Sequence, residues 1–425
     1  MLYYHLGIFV PRAREMSAAR GLGNGFAFGN DFYQVWLTSR ESLRERRDPY
    51  SAEMTLDIQK GLFGRPLDPR RSTDPIDRRA FPYPAFTLLL FWPAAELPFT
   101  VVRVAVVVLL AVLTFASVLF WLRALAWRPD WKWLAVIVLL VLCSYPVLEG
   151  LYAGQLGLLV AFLLSASIFT MQRGRLLLAG ILMALTTIKP QVTLLAILYL
   201  VLWSLSDWRR HWQYCAGLFS ALILLFATSL AVWPHWMLSW THTLVAYHRY
   251  TTPVLVNEVF TSHLPPGVVG PATVIMIAGL MITAIVIAWR NRLASPESPR
   301  FCITLSVLLA ITAITLLPGQ AVYDHVILLP GIFLVARRWR EYSSNPILKA
   351  LLATGAALLL WPWLASLSVI LLRPLLTHEQ FYSTAILSLP IRTAAAFPFV
   401  VLGLLALTTR SGSIAHNQAD VSPAR

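Results

Sequence analysis

The stretch "VVRVAVVVLLAVLTFASVLFWL", residues 101–122, decides the fold class of this chain. It carries one charge, Arg103, and it has the roughly 20 residues that a helix needs to cross the apolar layer of a bilayer. Similar runs recur along the chain, whereas the alternating ten-residue segments of a membrane β-barrel are absent. The sequence therefore predicts an all-α fold, a polytopic transmembrane helical bundle.

The composition of the whole chain supports this class. Of its 425 residues 58% are hydrophobic and 13% are charged, whereas a soluble domain is about half apolar and a quarter charged. The net charge of +14 lies in the loops, so it gives no reason to expect nucleic acid as a partner. Cys143, Cys215 and Cys302 are far apart in or beside apolar runs, which indicates neither a disulfide framework nor a zinc site. No cofactor and no metal are expected.

Eleven apolar runs are long enough to be membrane spans, and membrane lipids are therefore expected around them. They lie at residues 100–122, 133–149, 153–171, 176–188, 190–205, 214–234, 267–289, 301–317, 322–336, 350–372 and 386–408. Residues 83–98 are short and rich in proline, which favours a re-entrant or surface helix. Residues 1–10 are too short to span, so the chain starts on the outer side or lacks a preceding helix.

The distribution of Lys and Arg predicts the orientation of the bundle. The connections on one side together hold fourteen Lys and Arg, and they are 123–132, 172–175, 206–212, 290–300 and 337–349. The opposite short connections hold only Lys189, Arg249 and Arg373. Because short cytoplasmic loops are enriched in these residues, the first set is predicted to be cytoplasmic.

The apolar runs together predict one transmembrane domain, residues 1–408, in the plasma or inner membrane. Residues 31–99 form a long outer loop with short helices, and residues 100–408 form the membrane bundle. The polar segment 409–425 is expected to be a disordered cytoplasmic tail. Most of the unusual polar residues then meet at the outer face.

Asp31 is the first candidate for chemistry. It lies in "GNDFYQVW" at residues 29–36, whose aromatic side chains suit the headgroup region of a membrane. A partly desolvated carboxylate there can accept a proton from a substrate hydroxyl. The alternative is that Asp31 caps a helix that starts at Phe32.

Lys189 interrupts a long apolar region in "TTIKPQ", residues 186–191, and Pro190 breaks the helix beside it. A lysine inside a membrane costs about 2.5–3.5 kcal/mol, so it should face a cavity or a partner. Binding of an anionic phosphate is the functional interpretation, and a snorkelling structural lysine is the alternative.

Four further residues are candidates at the same face. Gln155 follows Glu149 in a tight turn between two helices, and either contacts substrate or bonds a neighbouring helix. Tyr83 in "FPYPAF" either touches a ligand or serves the backbone geometry. Asp324 and His325 begin a helix, where a helix cap and an interface histidine are the alternatives. The aromatic and histidine-rich segment 233–250 either stacks on sugar rings or forms a belt at the membrane surface.

Six short motifs occur in a defined order. They are "NDF" at 30–32, "DPY" at 48–50, "YP" at 83–84, "GQ" at 154–155, "KP" at 189–190 and "YDH" at 323–325. With this order and spacing the chain resembles glycosyltransferase family 87, which comprises polyprenyl-phosphate-mannose-dependent transferases of the GT-C fold. The family also has a helix before its aspartate loop, which would make twelve crossings here.

The resemblance implies transfer of a hexose, with mannose expected, from a polyprenyl-phosphate donor to a hydroxyl of a lipid or glycan acceptor on the outer face. Asp31 matches the catalytic base of the family. Lys189 and His325 would face the donor phosphate, and Gln155, Tyr83 and Asp324 are further expected contacts of the donor phosphate or sugar. Two other functions remain open, a transporter with a midplane site between broken helices and a flippase or ligase of lipid-linked glycans.

Overall fold

The computed structural model describes residues 1–23, 25–251, 264–319, 321–339 and 346–407, and most of these residues are helical. The chain begins with a continuous helical segment whose second turn is widened to π geometry. Its three parts are Leu2–Tyr4, the π turn His5–Phe9 and helix α1, Val10–Ala19. The predicted tail, residues 409–425, lies outside the described residues.

The long segment that follows, predicted to be the outer loop, is folded into four helices. They are α2 at Asn30–Arg44, α3 at Ala52–Phe63, α4 at Phe86–Leu90 and α5 at Trp92–Ala95. Ser51 caps α3 by accepting a hydrogen bond from the backbone N–H of Met54, and Gly64 ends it with a φ of 76°. Because α4 and α5 have five and four residues, neither can cross a membrane by itself.

Twelve further helices follow in the described chain. They are α6 (Phe99–Ala124), α7 (Trp131–Leu142), α8 (Tyr145–Ala153), α9 (Leu156–Gln172), α10 (Leu176–Leu185), α11 (Pro190–Ser206), α12 (Trp208–Val232), α13 (Trp236–Thr251), α14 (Pro266–Arg290), α15 (Pro299–Thr315), α16 (Leu329–Arg337) and α17 (Pro346–Leu372). The segment His378–Leu407 closes the bundle with a series of helical pieces. The positions agree with the apolar runs of the sequence to within a few residues at most ends.

Five of these segments are long and apolar enough to cross a membrane: α6, α12, α14, the segment that begins with α17, and His378–Leu407. The count becomes six if α7 and α8, which meet at a bend of 56°, form one broken span. Another four apolar helices of the described chain are shorter. Several apolar helices thus fit a membrane protein, while the total of eleven crossings stays a prediction.

The Lys- and Arg-rich connections meet at one end of the bundle. At this end the side-chain amide of Gln172 donates to the carbonyl oxygens of Ala124 at 3.1 Å and of Pro296 at 2.7 Å. Arg337 donates to the carbonyl of Leu125, and the indole N–H of Trp203 donates to the carbonyl of Ala294 at 3.1 Å. These contacts join the C-terminal ends of α6, α9 and α16 to one another or to the connection after α14, in agreement with the grouping that the charge pattern predicts.

Candidate functional site

Asp31 lies in the first turn of α2, where the chain bends sharply against another part of the molecule. Gly29 precedes the helix with a φ of 78°, and its N–H donates to the carbonyl of Tyr152 in α8 at 2.8 Å. Gly154 ends α8 with a φ of 72°, and a Cβ at this position would lie 2.9 Å from the Cβ of Phe32. The two glycines therefore allow the start of α2 to pack directly on the turn between α8 and α9.

The interpretation of Asp31 as a helix cap is wrong. The helix begins at Asn30, its cap is Gly29, and no side chain makes a capping hydrogen bond. The Asp31 carboxylate instead binds two distant side chains. Its Oδ1 accepts a hydrogen bond from Arg79 at 2.6 Å, and its Oδ2 accepts one from the amide of Gln155. The side chains of Asp31 and Arg79 are 16% and 21% exposed, so this pair can be reached from outside.

Gln155 connects Asp31 to a second ion pair. While its amide nitrogen donates to Asp31, its Oε1 accepts from the ammonium of Lys189 at 3.4 Å. Lys189 also donates to both carboxylate oxygens of Asp324, at 2.8 and 2.9 Å. Arg79, Asp31, Gln155, Lys189 and Asp324 thus form one hydrogen-bonded chain, which we call the polar string.

Breaks in the helices place the members of the polar string. Lys189 lies between a 3-10 turn, Thr186–Ile188, and α11, whose first residue is Pro190. Proline suits this first position because the N–H that it lacks would have no helical partner there. The backbone at Lys189, with φ −128° and ψ 76°, is not helical, so the side chain leaves the helical stack and reaches Asp324.

Asp324 does not cap its helix either. The 3-10 helix Val322–Leu328 begins after Ala321, and no side chain makes a capping hydrogen bond there. The close approach of Asp324 to α9 depends on Gly157, because a Cβ there would overlap the Asp324 carboxylate. The ring of Tyr323 lies under the Lys189 ammonium, 4.9 Å from its centroid, and adds a cation–π contact.

Tyr83 lies at the edge of the polar string. It is 7% exposed, and the hydroxyl of Tyr50 donates to its carbonyl oxygen at 2.8 Å. Burial, together with the negative charges of Asp31 and Asp324, raises the pKa of Tyr83 above its usual value. The phenol therefore stays protonated and can donate a hydrogen bond near the Asp31 carboxylate.

His325 is separated from the polar string although it follows Asp324 directly. Its ring is 3% exposed and lines an apolar cavity of about 220 Å³ together with side chains such as Val141, Leu328 and Phe333. None of Asp31, Gln155, Lys189 and Asp324 lines this cavity. The contact between His325 and a donor phosphate stays a prediction.

Two residues of interest in the structure, Arg79 and His5, are not among the candidates that the sequence suggested. Arg79 is one of ten Lys and Arg residues between residues 31 and 79, and nothing in the local pattern distinguishes it. His5 is fully buried in the π turn, with its Nε2 3.6 Å from Oε2 of Glu149. A signal existed for His5, because it is the one polar side chain in the apolar start "MLYYHLGIFV" apart from the tyrosines.

The charges of the polar string balance. Two cations face two carboxylates, and the three N–H groups of the Lys189 ammonium point to Asp324 and Gln155. Although burial alone would lower it, the charges of Asp31 and Asp77 raise the pKa of the Arg79 guanidinium above its usual value. Arg79 therefore carries its charge at any physiological pH, and it has five N–H donors.

The arrangement can position a base and a cation for one reaction. A carboxylate held by two hydrogen bonds keeps free lone pairs that can accept a proton from a hydroxyl. The guanidinium beside it lines a separate cavity of about 380 Å³, whose other side chains include Phe9, Leu22 and Phe26. This cavity has room for an anionic group at Arg79 and for apolar atoms beyond it.

The family pattern of glycosyltransferase family 87 matches residues 81–318. The match includes Tyr83, Gln155 and Lys189, and it ends before Asp324 and His325. Asp31 and Arg79 precede it. No curated protein and no solved structure matches the chain.

Proposed function

Because this chain belongs to glycosyltransferase family 87, which makes it a membrane glycosyltransferase with a sugar donor and an acceptor, we propose that it moves a hexose from a polyprenyl-phosphate donor. The sugar is proposed to be mannose, and the acceptor a hydroxyl of a lipid or glycan at the outer face of the plasma or inner membrane. Asp31 is the proposed general base. The single observation that carries the proposal is the Asp31 carboxylate, held between Arg79 and Gln155.

The chemistry needs one proton acceptor and one site for the leaving phosphate. The acceptor oxygen attacks the anomeric carbon of the donor sugar while the bond from that carbon to the phosphate oxygen breaks. The hydroxyl proton passes to Asp31, and the polyprenyl phosphate leaves with the bonding electrons. Positioning of the two reactants supplies much of the acceleration, which suits a site built from fixed hydrogen bonds.

Arg79 is the cation that we assign to the donor phosphate. A guanidinium binds phosphate through several parallel hydrogen bonds, and Arg79 borders the cavity of about 380 Å³. The apolar side chains of that cavity suit the first isoprene units of the lipid. Lys189 reaches a phosphate only if Asp324 releases it, so its role here is to hold Gln155, and through Gln155 the base, in place.

The orientation follows from the charge pattern. Gln155 of the polar string is the N-cap residue at the start of α9, whereas Gln172, around which the Lys- and Arg-rich connections meet, is the last residue of this helix. With those connections cytoplasmic, Asp31 faces the outer side, where a lipid-linked donor presents its phosphosugar at the interface. A GT-C-type bundle with eleven spans is part of the same proposal.

Two other functions are less well supported. A transporter would use the broken helices around Lys189, but it has no need of a carboxylate held by Arg79 beside a long outer loop. A flippase or ligase of lipid-linked glycans would use a similar surface. Turnover separates these functions, because only a transferase joins a labelled sugar to a new acceptor.

Replacement of the base tests the proposal. We expect Asp31→Asn to lower sugar transfer by about 10²–10⁴-fold, because a carboxamide cannot take the proton of the acceptor. Purified protein in lipid nanodiscs is incubated with labelled polyprenyl-phosphate sugars and membrane acceptors, and the labelled product is measured. Asp48→Asn is the matched control, because Asn can still accept the N–H of Tyr50 that Asp48 accepts at 2.9 Å. Transfer by Asp31→Asn at the rate of the control would eliminate Asp31 as the base.

A further inference from the structure

A cleft of about 790 Å³ lies between the outer loop and α13, in the range of about 300–1,000 Å³ that is typical of ligand sites. We infer that this cleft binds the acceptor as a glycan, and that residues 65–79 form one of its walls. The inference rests on the proposed function and adds to it the class of acceptor and the site that holds it. The side chains that carry the argument are Tyr50, Gln59, Asp68, Arg71, Thr243 and Tyr250.

The lining of the cleft has the chemistry of a sugar site. Tyr50 from the outer loop and Tyr250 from α13 line the two walls, and the apolar faces of sugar rings pack favourably on aromatic rings. Asp68 and Arg71 are 48% and 59% exposed and lie 3.9 Å apart, so an acceptor group and a donor group are open to hydroxyls. A bilayer lipid tail would gain nothing from these charges.

The loop wall of the cleft is ordered before any ligand arrives. Arg65 binds both carboxylate oxygens of Asp74 at 2.7 and 2.6 Å, and the backbone N–H of Asp68 donates to Asp74 at 2.9 Å. Gln59 on α3 donates to the carbonyl of Arg78 at 2.8 Å and accepts the N–H of Leu67 at 2.9 Å. Such preorganisation lowers the entropy cost of binding.

Two tryptophans hold α13, which forms the opposite wall of the cleft, in place. The indole N–H of Trp240 donates to the carbonyl of Pro82 at 3.0 Å, which ties α13 to the start of the "YPAF" segment. Trp236 is 1% exposed and packs on Phe86 and Phe226, with ring centroids 6.2 and 5.3 Å away. The helix therefore cannot rotate its cleft-facing side chains away without losing these contacts.

Two neighbouring arginines, Arg78 and Arg79, lie between the cleft and the base. Arg78 lines the cleft and lies over the ring of Tyr250, with its guanidinium carbon 4.8 Å from the ring centroid. The next residue, Arg79, binds Asp31 and lines the cavity of about 380 Å³ on its other side. Pro75 lines both spaces. One short segment of the loop thus lies between a cleft of mixed polar and apolar lining, assigned to the acceptor, and a largely apolar cavity, assigned to the donor.

Binding of oligosaccharides to the full chain in nanodiscs tests the inference without turnover. The probes are soluble oligosaccharides of mannose, glucose, galactose, arabinose and N-acetylglucosamine, and binding is read by saturation-transfer NMR. We expect at least one probe to bind the wild type, and its affinity to fall at least tenfold in Ala246→Trp, which fills the cleft from α13. Leu238→Trp, at a position on α13 that is 60% exposed and outside the cleft lining, is the control that keeps binding.

A second variant keeps the test decisive if Ala246→Trp fails to fold. Tyr250→Ala removes one aromatic wall and should also weaken probe binding, while thermal unfolding stays that of the wild type. Equal binding by wild type and both variants, or no binding of any probe to the wild type, would overturn the inference. A third outcome is that the wild type binds a probe, both variants lose this binding, and the wild type transfers no sugar. This outcome would support the cleft as a glycan site and contradict only the proposed function.

Discussion

The sequence indicated some residues of the polar string and not others. Gln155, Lys189 and Asp324 could be selected because each is a polar residue within or beside an apolar run, where few polar residues occur. Asp31 could be selected because an aromatic stretch follows it and because it matches the base of the family. Their contacts could not be predicted, since 124 and 135 positions separate the bonded pairs Asp31–Gln155 and Lys189–Asp324.

Arg79 is the member of the polar string that the sequence did not indicate. In a loop with many arginines every guanidinium has the same local pattern, and only the path of the chain decides which one meets Asp31. The positive φ of 58° at Arg79 is part of that path, because it turns the chain where the loop returns toward α4. A residue other than glycine rarely takes this conformation, and Arg46 and Ala126 share it, so the backbone angle alone does not distinguish Arg79.

Arg79→Ala gives a direct test at this scale. We expect kcat/KM for the donor to fall about 100-fold, because the base loses an anchor and the phosphate loses its cation. Arg79→Lys should recover part of the loss, since it keeps the charge but not the planar fork. Steady-state kinetics with labelled donor gives the measurement. Arg46→Ala is the control, because Arg46 is an exposed arginine of the same loop with a similar φ of 55° and lies outside the cleft lining. Equal kinetics for the Ala variants at positions 46 and 79 would refute the role of Arg79.

At the scale of elements, helix positions were predictable and helix interruptions only partly so. Long apolar runs fixed α6, α12 and α14, because nothing but burial in lipid explains them. Pro190 correctly predicted the helix break at Lys189. The bend of 56° between α7 and α8 was not predicted, because the run 133–149 carries no charge before Glu149. The bend lies at Cys143 and Ser144, before Pro146 in the first turn of α8.

Small residues at the helix contacts offer a second test. A methyl group at Gly157 would overlap the Asp324 carboxylate and push it from Lys189. We expect Gly157→Ala to destabilise the protein by about 1–3 kcal/mol, as overpacking does, and to reduce sugar transfer. Gly279→Ala in α14 is the control, because a Cβ there meets no atom within 4 Å. Thermal unfolding in nanodiscs and the transfer assay measure both effects, and identical behaviour of the two variants would contradict the close packing.

The outer loop predicts a defined response to acid. The side-chain hydrogen bonds from Arg65, with the backbone N–H of Asp68, lower the pKa of Asp74 from 3.8 to about 2. A carboxylate whose pKa is lower in the folded loop stabilises that loop above its ordinary pKa, and the stabilisation is lost as pH falls through the folded value. We expect the loop to resist proteolysis unchanged from pH 7 to pH 4 and to open as pH approaches 2.

Asp74→Asn provides the matched comparison for this acid response. The amide has no charge for Arg65, so the loop of this variant should already be cleaved faster at pH 7. Its rate should change less than that of the wild type between pH 4 and pH 2. Cleavage is followed with a protease that is active over this range, such as a pepsin-type enzyme at the acid end. A wild-type loop as labile as that of the variant at pH 7 would show that the Arg65–Asp74 pair does not hold it.

At the scale of the whole molecule, the charge pattern predicted which connections lie together. The positive-inside pattern groups loops by side without any knowledge of packing, and the contacts around Gln172 and Arg337 bring the same connections together. The sequence could not give the number of complete crossings, because apolar helices of 10–17 residues such as α10 and α11 lie below the length of a simple span.

Cysteine labelling tests the orientation of the molecule. In a variant without its own cysteines, Ser72→Cys in the outer loop should react with a membrane-impermeant maleimide on intact cells. Glu297→Cys, in the connection between α14 and α15, should react only after permeabilisation. Both positions are exposed, so access to reagent is limited by the membrane alone. The opposite labelling pattern would place the polar string on the cytoplasmic side.

The pairing of Lys189 with Asp324 has a consequence for how the protein is made. The lysine leaves the ribosome 135 residues before the carboxylate that neutralises it. At about 5–20 residues per second this is a delay of roughly 7–27 s, during which a charged ammonium has entered the insertion machinery without its partner. Retention of the nascent segment by the translocon or an insertase until Asp324 emerges would cover that interval, and the polar string would be completed only when about three quarters of the polypeptide has been synthesised.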